Sequence, residues 1–558
     1  MDVATYDPPL AALKAQALAS RSIAEWKADK RHNQFDEFKS VDNSTDFQVF
    51  KPGSFEHYNP AAKGKIQQAV DETAGQYLFG STKGLILVAI AMIGIVTAIW
   101  GMLSGPMAEM GVRDVVIKLL GMDIVQAERE GRIIILYHSI AMAIIAIETY
   151  MVTGLLKMKP FFKTAINAII TVGYILTMIF GMGFAYFGHN WAFHGLYIFG
   201  LSLIFFAGVL LCIALWPWNK EYYVTDKDYA HTKSGLDLER TAFFATAVTT
   251  VISALFGAIP GSYFGNGFEV FLAENVIRLP EKTVLEYSVI GHLHIMLALI
   301  GIMITLIIGR WLNFKGNWHK VAMPLMILGT LVLNLGVWGV VTPLEPIAHM
   351  IIYVGATPSM FAALLLLIWD WNKLIQDGTA HLQKPSFGQK IAALVRDPLK
   401  FGPTWQMLFM NFTTSGIGIF MAIRLEEIFR IWPAREERIE LTGHWHALSA
   451  IIATIILLYF GDMNGFKGKL RQWYGWSIIV LSDIAFGAVT IFEMKRLFIT
   501  EAEQQPLVNG LMYAIDFGLG MLLVILAILL VYRLTDLFKK KGRWTDELDH
   551  ELAQEVNQ

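Results

Sequence analysis

About twelve apolar stretches, each near the roughly 20 residues that a helix needs to cross a bilayer, dominate this sequence. They lie near residues 84–106, 132–156, 163–186, 192–216, 241–263, 286–309, 320–341, 346–370, 403–424, 442–461, 472–493 and 509–532. Only 16% of the 558 residues are charged, whereas soluble proteins average about 25%. The sequence therefore excludes a soluble enzyme and predicts an all-α, polytopic membrane protein.

The apolar stretches divide the chain into three parts. Residues 1–80 are polar, mixed in charge and without a signal-peptide pattern, so we expect a cytoplasmic N-terminal arm. Residues 81–535 hold the predicted transmembrane helices, and residues 536–558 form a cytoplasmic tail. Lys and Arg are more frequent in the loops that lie inside when the N-terminus is cytoplasmic. We therefore predict that both termini face the cytoplasm and that the protein lies in the inner membrane.

The cysteine content limits the metal chemistry that is open to this chain. Its single cysteine, Cys212, lies in an apolar run. A disulfide framework, CxxCH haem attachment, iron–sulfur clusters and a thiolate copper centre are thereby excluded. A net charge of −2 gives no indication of nucleic-acid binding. Any cofactor must be held by other ligands, and histidine is the main candidate.

Several histidines lie near the outer ends of the even-numbered predicted spans. They are His138, His194, His292, His294, His349, His444 and His446. At about 1.5 Å of rise per residue, each lies within roughly 10 Å of the outer boundary, so the topology predicts one layer of imidazoles. Imidazole is costly in hydrocarbon unless it is paired or binds metal, which makes this layer the candidate site.

Two spans begin with the same pattern, GHLHIMLALIGIMITLII in the sixth and GHWHALSAIIATIILLYF in the tenth. This similarity, four spans apart, predicts three groups of four helices. Residues two apart on a helix point about 200° apart, so an HxH pair cannot chelate one ion but can hold two cofactors on opposite sides of the helix. Without CxxCH, the predicted cofactor is non-covalent haem b, with two or more haems per chain.

The topology, the lone histidine early in the second span, the GHxx start of the sixth and the HxH of the tenth resemble subunit I of the haem–copper oxidase superfamily, which includes nitric oxide reductases. The resemblance covers roughly residues 84–535. It implies that His138 and His446 clamp a low-spin haem and that His444 is the proximal ligand of a second haem. It also implies that His292 binds a second metal, copper or non-haem iron.

Two basic residues match the pattern of this family, whereas the seventh span departs from it. Lys495 and Arg496 stand where the family places basic residues against haem propionates, with interface anchoring as the alternative. Where the family has two adjacent histidines in the seventh span, this chain has GVVTPLEP at 339–346. A second metal would therefore need His294, His349 or Glu345. Alternatively, the HLH of the sixth span is a second haem-binding element and the chain is only an electron conduit.

The remaining polar residues fall into two classes. Three carboxylates inside spans are candidates for proton transfer, with helix packing as the alternative: Glu148, Asp483 and Asp516. His189 is predicted at the surface and the role of His194 stays open. The remaining histidines are predicted to be ordinary surface residues: His32, His57, His231, His319, His381 and His550.

Three functions follow from these patterns. The first is a respiratory oxidoreductase subunit, resembling a terminal oxidase or nitric oxide reductase or its electron-transfer subunit, that passes electrons from a low-spin haem to a second haem near the outer face. The second is a non-catalytic membrane cytochrome b between quinol and an outer redox partner. The third is an ion-coupled transporter, ranked last because the repeat runs in parallel sense. Because the chain has no electron-entry centre, we expect a partner such as an outer-face cytochrome c, an iron–sulfur protein or a quinone.

Overall fold

The structure is a computed structural model that describes residues 96, 111–122, 129–263, 281–342, 344–424, 427–432, 434–463, 466–497, 499 and 504–539. Within these ranges the regular elements are helices, apart from one isolated antiparallel bridge between His231 and Asp237. The predicted N-terminal arm, nearly all of the first predicted span and most of the predicted tail lie outside the described residues.

The helices account for most of the described chain. In chain order they are α1 (Val112–Leu120), α2 (Arg129–Leu155), α3 (Pro160–Tyr186), α4 (Trp191–Ala214), α5 (Leu238–Tyr263), α6 (Val284–Trp311), α7 (Asn317–Gly339), α8 (Glu345–Thr379), α9 (Phe387–Leu394), α10 (Pro398–Leu408), α11 (Ser415–Ile423), α12 (Ala434–Met463), α13 (Gly468–Met494) and α14 (Gln504–Lys539). Ten of them, α2 to α8 and α12 to α14, are long and apolar enough to cross a membrane. This fits a multi-pass membrane protein. The number twelve, the three groups of four and the orientation stay predictions.

The ninth predicted span is not a regular α-helix. It begins earlier than predicted, with α10, and passes through a π-helical segment, Phe409–Thr414, into α11. Asn411 donates its side-chain amide to the carbonyl four residues before it, and Ser415 donates its hydroxyl to the carbonyl five residues before it. These side chains donate hydrogen bonds to backbone carbonyls where the regular helical pattern changes. Such π segments frequently mark functional sites.

Helix α6, which carries the HLH pattern, lies at the centre of the bundle. It packs against α2, α5, α7, α8, α10 and α12. In its apolar window 67% of the residues are buried, against 17% in α14. The long apolar surface of α14 faces outward, as expected for a lipid-facing helix, whereas polar side chains on α6 must find partners within the protein.

A polar network holds together the ends of four helices that lie away from the HxH patterns. Arg471 of α13 contacts both Asp397 and Asp462, each at 2.8 Å. Lys400 of α10 lies 2.6 Å from Asp462, which also accepts a 2.8 Å hydrogen bond from the indole of Trp311 at the end of α6. Because each charge has an opposite partner, this end of α6, α10, α12 and α13 is joined without an uncompensated charge.

The prediction that His319 is an ordinary surface residue is wrong. Its side chain is fully buried near the start of α7, and its Nδ1 accepts a 2.9 Å hydrogen bond from the backbone N–H of Ala230. Its Nε2 lies 3.9 Å from Glu239, which pairs with Arg310 at 3.4 Å. The loop between α4 and α5 covers this histidine. The local sequence around His319 is polar and gave no indication of this burial.

Candidate functional site

Five histidines from three helices form what we call the histidine cluster: His138 of α2, His292 and His294 of α6, and His444 and His446 of α12. Each lies in the first half of its helix, and the three helices pack against one another. Five of the seven histidines that the sequence predicted to lie at one depth are thus carried by helices that are mutual neighbours.

The closest described arrangement of two imidazoles in the cluster joins α2 to α6. The rings of His138 and His292 have centroids 6.3 Å apart and planes that differ by 20°. A metal–imidazole bond is about 2 Å long and the ring centre lies about 1.2 Å behind the nitrogen, so two rings that clamp one ion have centroids about 6.4 Å apart. The observed spacing fits two ligands on opposite sides of one metal ion.

Hydrogen bonds to main-chain carbonyls fix three rings of the cluster. The Nδ1 atoms of His138 and His294 lie 2.8 and 2.7 Å from the carbonyl four residues earlier in their own helices. The Nδ1 of His292 lies 3.2 Å from the carbonyl of Ser253 in α5. A carbonyl only accepts, so each Nδ1 carries the hydrogen and each Nε2 keeps the lone pair that a metal needs. The three rings are therefore oriented as metal ligands usually are.

Two side chains of α7 form hydrogen bonds with Ser253. The sequence analysis did not identify these residues. The indole of Trp338 donates to the Ser253 hydroxyl at 3.0 Å, and that hydroxyl donates to the Asn334 side-chain oxygen at 3.2 Å. Asn334 and Ser253 are fully buried. Polar side chains inside apolar spans mark these residues as unusual in the sequence. The sequence does not show that they contact one another next to His292.

Two glycines make room for the first histidine of each HxH pattern. A Cβ atom on Gly257 of α5 would lie 2.5–2.6 Å from three ring atoms of His292. A Cβ atom on Gly418 of α11 would lie 3.0 Å from Cε1 of His444. In both places the helix that precedes the pattern in the chain packs its backbone directly against the imidazole.

A second group of imidazoles lies on the α8 and α12 side of α6. The His294 side chain lies near those of His349 and His444. Nδ1 of His444 is buried and has no hydrogen-bond partner among the described residues. Glu345 begins α8, but its side chain lies outside the described part of the structure. Within the described residues, no group of three or more His, Cys, Asp or Glu side chains is placed to hold one metal ion.

His446 lies against Tyr137, the neighbour of His138 in the chain. Its Nδ1 is 3.3 Å from the Tyr137 hydroxyl, and the two ring centroids are 5.3 Å apart. The Tyr137 ring also meets Trp445 edge to face at 5.8 Å. The side chain next to His138 is thus a hydrogen-bond partner of His446.

The two basic residues predicted to face haem propionates follow α13 in a short 3₁₀ turn. Lys495 is only 2% exposed and its ammonium lies 4.8 Å from the centre of the Phe492 ring. Arg496 lies over Trp432, also at 4.8 Å. Glu493, 1% exposed, places its carboxyl where a side chain on Gly443, next to His444, would otherwise lie. The sequence analysis missed Glu493 because it stands beside basic residues at a span end.

The three carboxylates predicted to transfer protons have different surroundings. Asp483 accepts hydrogen bonds from the indole of Trp405 at 2.9 Å and from the amide of Gln406 at 3.3 Å. Asp516 is half-buried on α14, the least enclosed of the apolar helices. Glu148 is 4% exposed and its Oε1 has no hydrogen-bond partner among the described residues. The proton-transfer roles stay predictions, and Glu148 differs most from a packing residue.

The histidines near the start of α4 contact an aromatic ring of α3. Phe184 of α3 stacks with His189 at a centroid distance of 4.4 Å and with His194 at 4.8 Å. His189 is exposed, as predicted, and His194 is half-buried. Both contacts are typical of aromatic packing at the end of a helical hairpin.

Comparison with known proteins corrects the family assignment. A family model that matches the chain is that of stage II sporulation protein SpoIID, over residues 4–79. No curated protein and no solved structure matches. The assignment to the haem–copper oxidase superfamily is therefore wrong, because the family match is to a different family. The matched segment lies outside the described residues and before the apolar helices, so it assigns no fold to the histidine cluster.

Proposed function

We propose that this chain is a haem b-binding, multi-pass subunit of a respiratory electron-transfer complex in the inner membrane. His138 and His292 are the residues that would hold one haem. The observation that carries this proposal is the pair of near-parallel imidazoles with centroids 6.3 Å apart, each with its Nδ1 on a main-chain carbonyl. The spacing and the tautomers are those of two ligands that share one ion.

The number of ligands favours haem over other metals. Structural and catalytic zinc sites take three or four side-chain ligands, and copper sites likewise gather several. In the described part of the chain the cluster offers pairs rather than groups of three or more. A haem iron takes only its axial ligands from the protein because the porphyrin supplies the rest. Bound haem would provide the reversible one-electron chemistry, and the chain would hold and insulate it.

We assign a second haem to the group around His294 and His444. These residues come from α6 and α12 and lie near each other. On α6, His292 and His294 project about 200° apart, so the helix stands between the two sites. Lys495 and Arg496, which follow α13, are the basic residues that we assign to the haem propionates. Electrons enter from a partner, a quinol or an outer-face redox protein, because the chain offers no entry centre of its own.

The test is haem content and spectra of the full chain purified from membranes. Wild-type protein is expected to carry b-type haem, and His138→Ala and His292→Ala are each expected to lose the same low-spin signal. His446→Ala is expected to retain that signal. His381→Ala, at an exposed position away from the cluster, is the matched control and should equal the wild type.

Two outcomes would contradict the proposal at different levels. If His446→Ala abolishes the His138 signal while His292→Ala keeps it, the haem is present but the proposed ligand pair is wrong. If folded wild-type protein shows no Soret absorbance, haem binding itself fails and an ion-coupled transporter becomes the better function.

Electron conduction without catalysis is the form of this function that we favour. The observation behind it is that the described histidines offer paired ligands, and paired ligation closes the iron to oxygen or nitric oxide. Carbon monoxide added to the reduced protein should leave the spectrum unchanged. A carbon monoxide-induced shift would identify an open iron and a catalytic subunit instead.

A further inference from the structure

A small cavity lies inside the bundle where α2, α3, α4, α5 and α6 meet. Its volume is about 60 Å³, and most of its lining is aliphatic, with Ile170, Ile204 and Leu299 from three different helices. Glu148, Thr149 and Thr250 supply the polar atoms. This exceeds the roughly 10–15 Å³ that one water molecule needs, so the space can hold water.

The polar side chains of the cavity leave a specific hydrogen-bonding deficit. The Thr149 and Thr250 hydroxyls each donate at 2.7 Å to the carbonyl four residues earlier in their own helices. Their oxygens can still accept, but their hydrogens are used. Glu148 is 4% exposed, and its Oε1 has no hydrogen-bond partner among the described residues. A buried carboxyl left unpaired is destabilising, so the cavity favours a ligand that both donates and accepts.

Water meets this requirement, whereas an ionised carboxylate does not fit the site. Glu148 is the one ionisable side chain in the cavity lining. An isolated carboxylate in an apolar environment is far more costly to bury than the neutral acid. The neutral acid can donate its hydroxyl hydrogen to a water molecule and accept from another at Oε1.

We propose that this cavity is a hydrated proton site in which Glu148 holds an exchangeable proton as a neutral carboxylic acid. In the exchange, the O–H bond of the carboxyl breaks as its hydrogen passes to an adjacent water, and that water passes one of its own hydrogens to the other carboxyl oxygen, so the acid and the water both stay neutral. No oxidant or reductant takes part. The inference does not depend on haem binding.

The position of the site separates it from the histidine cluster. Glu148 follows His138 by ten residues on α2, which is about 15 Å along the helix axis. Leu155, where α2 ends, is seven residues further, or about 10 Å. The site therefore lies nearer the end of the bundle away from the histidines, and it can load or release a proton without touching the proposed metal ligands.

Asp483 provides the matched control within the same membrane-spanning part of the chain. Its carboxylate already accepts hydrogen bonds from Trp405 and Gln406. A carboxylate with such donors is satisfied without water and is held for helix packing. Asp483→Asn should therefore leave the spectroscopic signal of the proton site unchanged.

The test is infrared spectroscopy of the full chain in membranes, in H₂O and after transfer to D₂O. We expect a carbonyl band of a protonated carboxylic acid that shifts to lower frequency in D₂O. It should be lost in Glu148→Gln, kept at a shifted frequency in Glu148→Asp and unchanged in Asp483→Asn. Because an amide replaces a neutral acid of the same shape, Glu148→Gln should unfold near the wild-type temperature.

Two results would overturn the proposal. The first is a spectrum of folded Glu148→Gln that equals the wild type in the carboxylic-acid region. The second is a Glu148 band that does not move in D₂O, which would mean a dry, non-exchanging acid. If Glu148→Gln does not fold, Thr250→Val decides: it removes an acceptor from the cavity and is expected to shift the band, and an unchanged band would contradict a shared water network.

Discussion

The GHLH segment at 291–294 of α6 and the GHWH segment at 443–446 of α12 have nearly the same sequence but different surroundings. In both, the first histidine packs against a glycine of the preceding helix, Gly257 or Gly418. In α6 both histidines also place Nδ1 on main-chain carbonyls. In α12 the described partner of His446 is the Tyr137 hydroxyl, and the buried Nδ1 of His444 has no described partner.

This difference shows how one motif can be held with different rigidity. A main-chain carbonyl in a helix moves only when the helix moves, so the α6 imidazoles are fixed before any ligand binds. In α12, a tyrosine side chain contacts His446, and the Nδ1 of His444 has no partner among the described residues. Pre-orientation of ligands is what a permanent cofactor site needs. We therefore infer that the GHLH segment orients its histidine rings more rigidly than the GHWH segment does.

Gly257→Ala should have the largest effect, because its Cβ would lie 2.5–2.6 Å from three ring atoms of His292. The ring and α5 would have to move apart. Overpacking of this kind costs about 1–3 kcal/mol of unfolding free energy. Thermal unfolding in detergent measures the loss, and haem content measures displacement of the ring. Gly416→Ala, where nothing lies within 4 Å, is the control and should not destabilise the protein.

Gly418→Ala tests the corresponding place in α12 and should cost less. Its Cβ would lie 3.0 Å from the His444 ring, so a shift of a few tenths of an ångström relieves the contact. We expect a loss below about 1.5 kcal/mol by the same unfolding measurement. A larger loss than in Gly257→Ala would reverse our view of which half of the site is more tightly packed.

Trp338→Phe removes the donor that holds the Ser253 hydroxyl beneath His292. Loss of one buried hydrogen bond should lower the unfolding free energy by about 1 kcal/mol. It should also perturb the spectral signal that His292→Ala removes and leave the other haem signal unchanged. Trp318→Phe, at an exposed position on the same helix, is the control. Equal changes in both haem signals would refute a local role for this contact.

Tyr137→Phe should have the smallest effect. It deletes a hydroxyl 3.3 Å from His446, at the long end of hydrogen-bond distances, and keeps the ring that meets Trp445. We expect a loss of about 0.5 kcal/mol in unfolding free energy. A loss as large as that in Trp338→Phe would mean that the GHWH segment is held as firmly as GHLH.

Hydropathy predicted most of the helices correctly because a membrane span needs a long apolar run. Long apolar helices lie at ten of the predicted positions, namely α2 to α8 and α12 to α14. It did not predict the π-helical segment at Phe409–Thr414. Asn411 and Ser415 donate hydrogen bonds to the backbone of this segment, but such residues also occur in ordinary helices. It also misplaced His319, whose burial depends on a loop distant in sequence.

The sequence predicted which histidines belong to the candidate site. It did not predict which of them lie next to one another. The sequence pointed to His138 and to both HxH patterns, because intramembrane imidazoles at one depth are rare without a function. It paired His138 with His446 through a family resemblance that proved wrong. The structure places the His138 ring beside His292 and the Tyr137 hydroxyl beside His446. Ser253, Trp338 and Glu493 could not be assigned because apolar spans contain many such residues.

By itself, the sequence determined that this chain forms helices long and apolar enough to cross a membrane, and it predicted that several histidines lie near one end of those helices. Helix length and rise fix the depth of each residue along its own axis. Tertiary structure alone decided which imidazole faces which, which carbonyl orients each ring and which carboxyl borders a cavity. The physical reason is that hydropathy and periodicity set the position of a residue along and around its own helix, whereas packing sets how each helix is rotated against its neighbours.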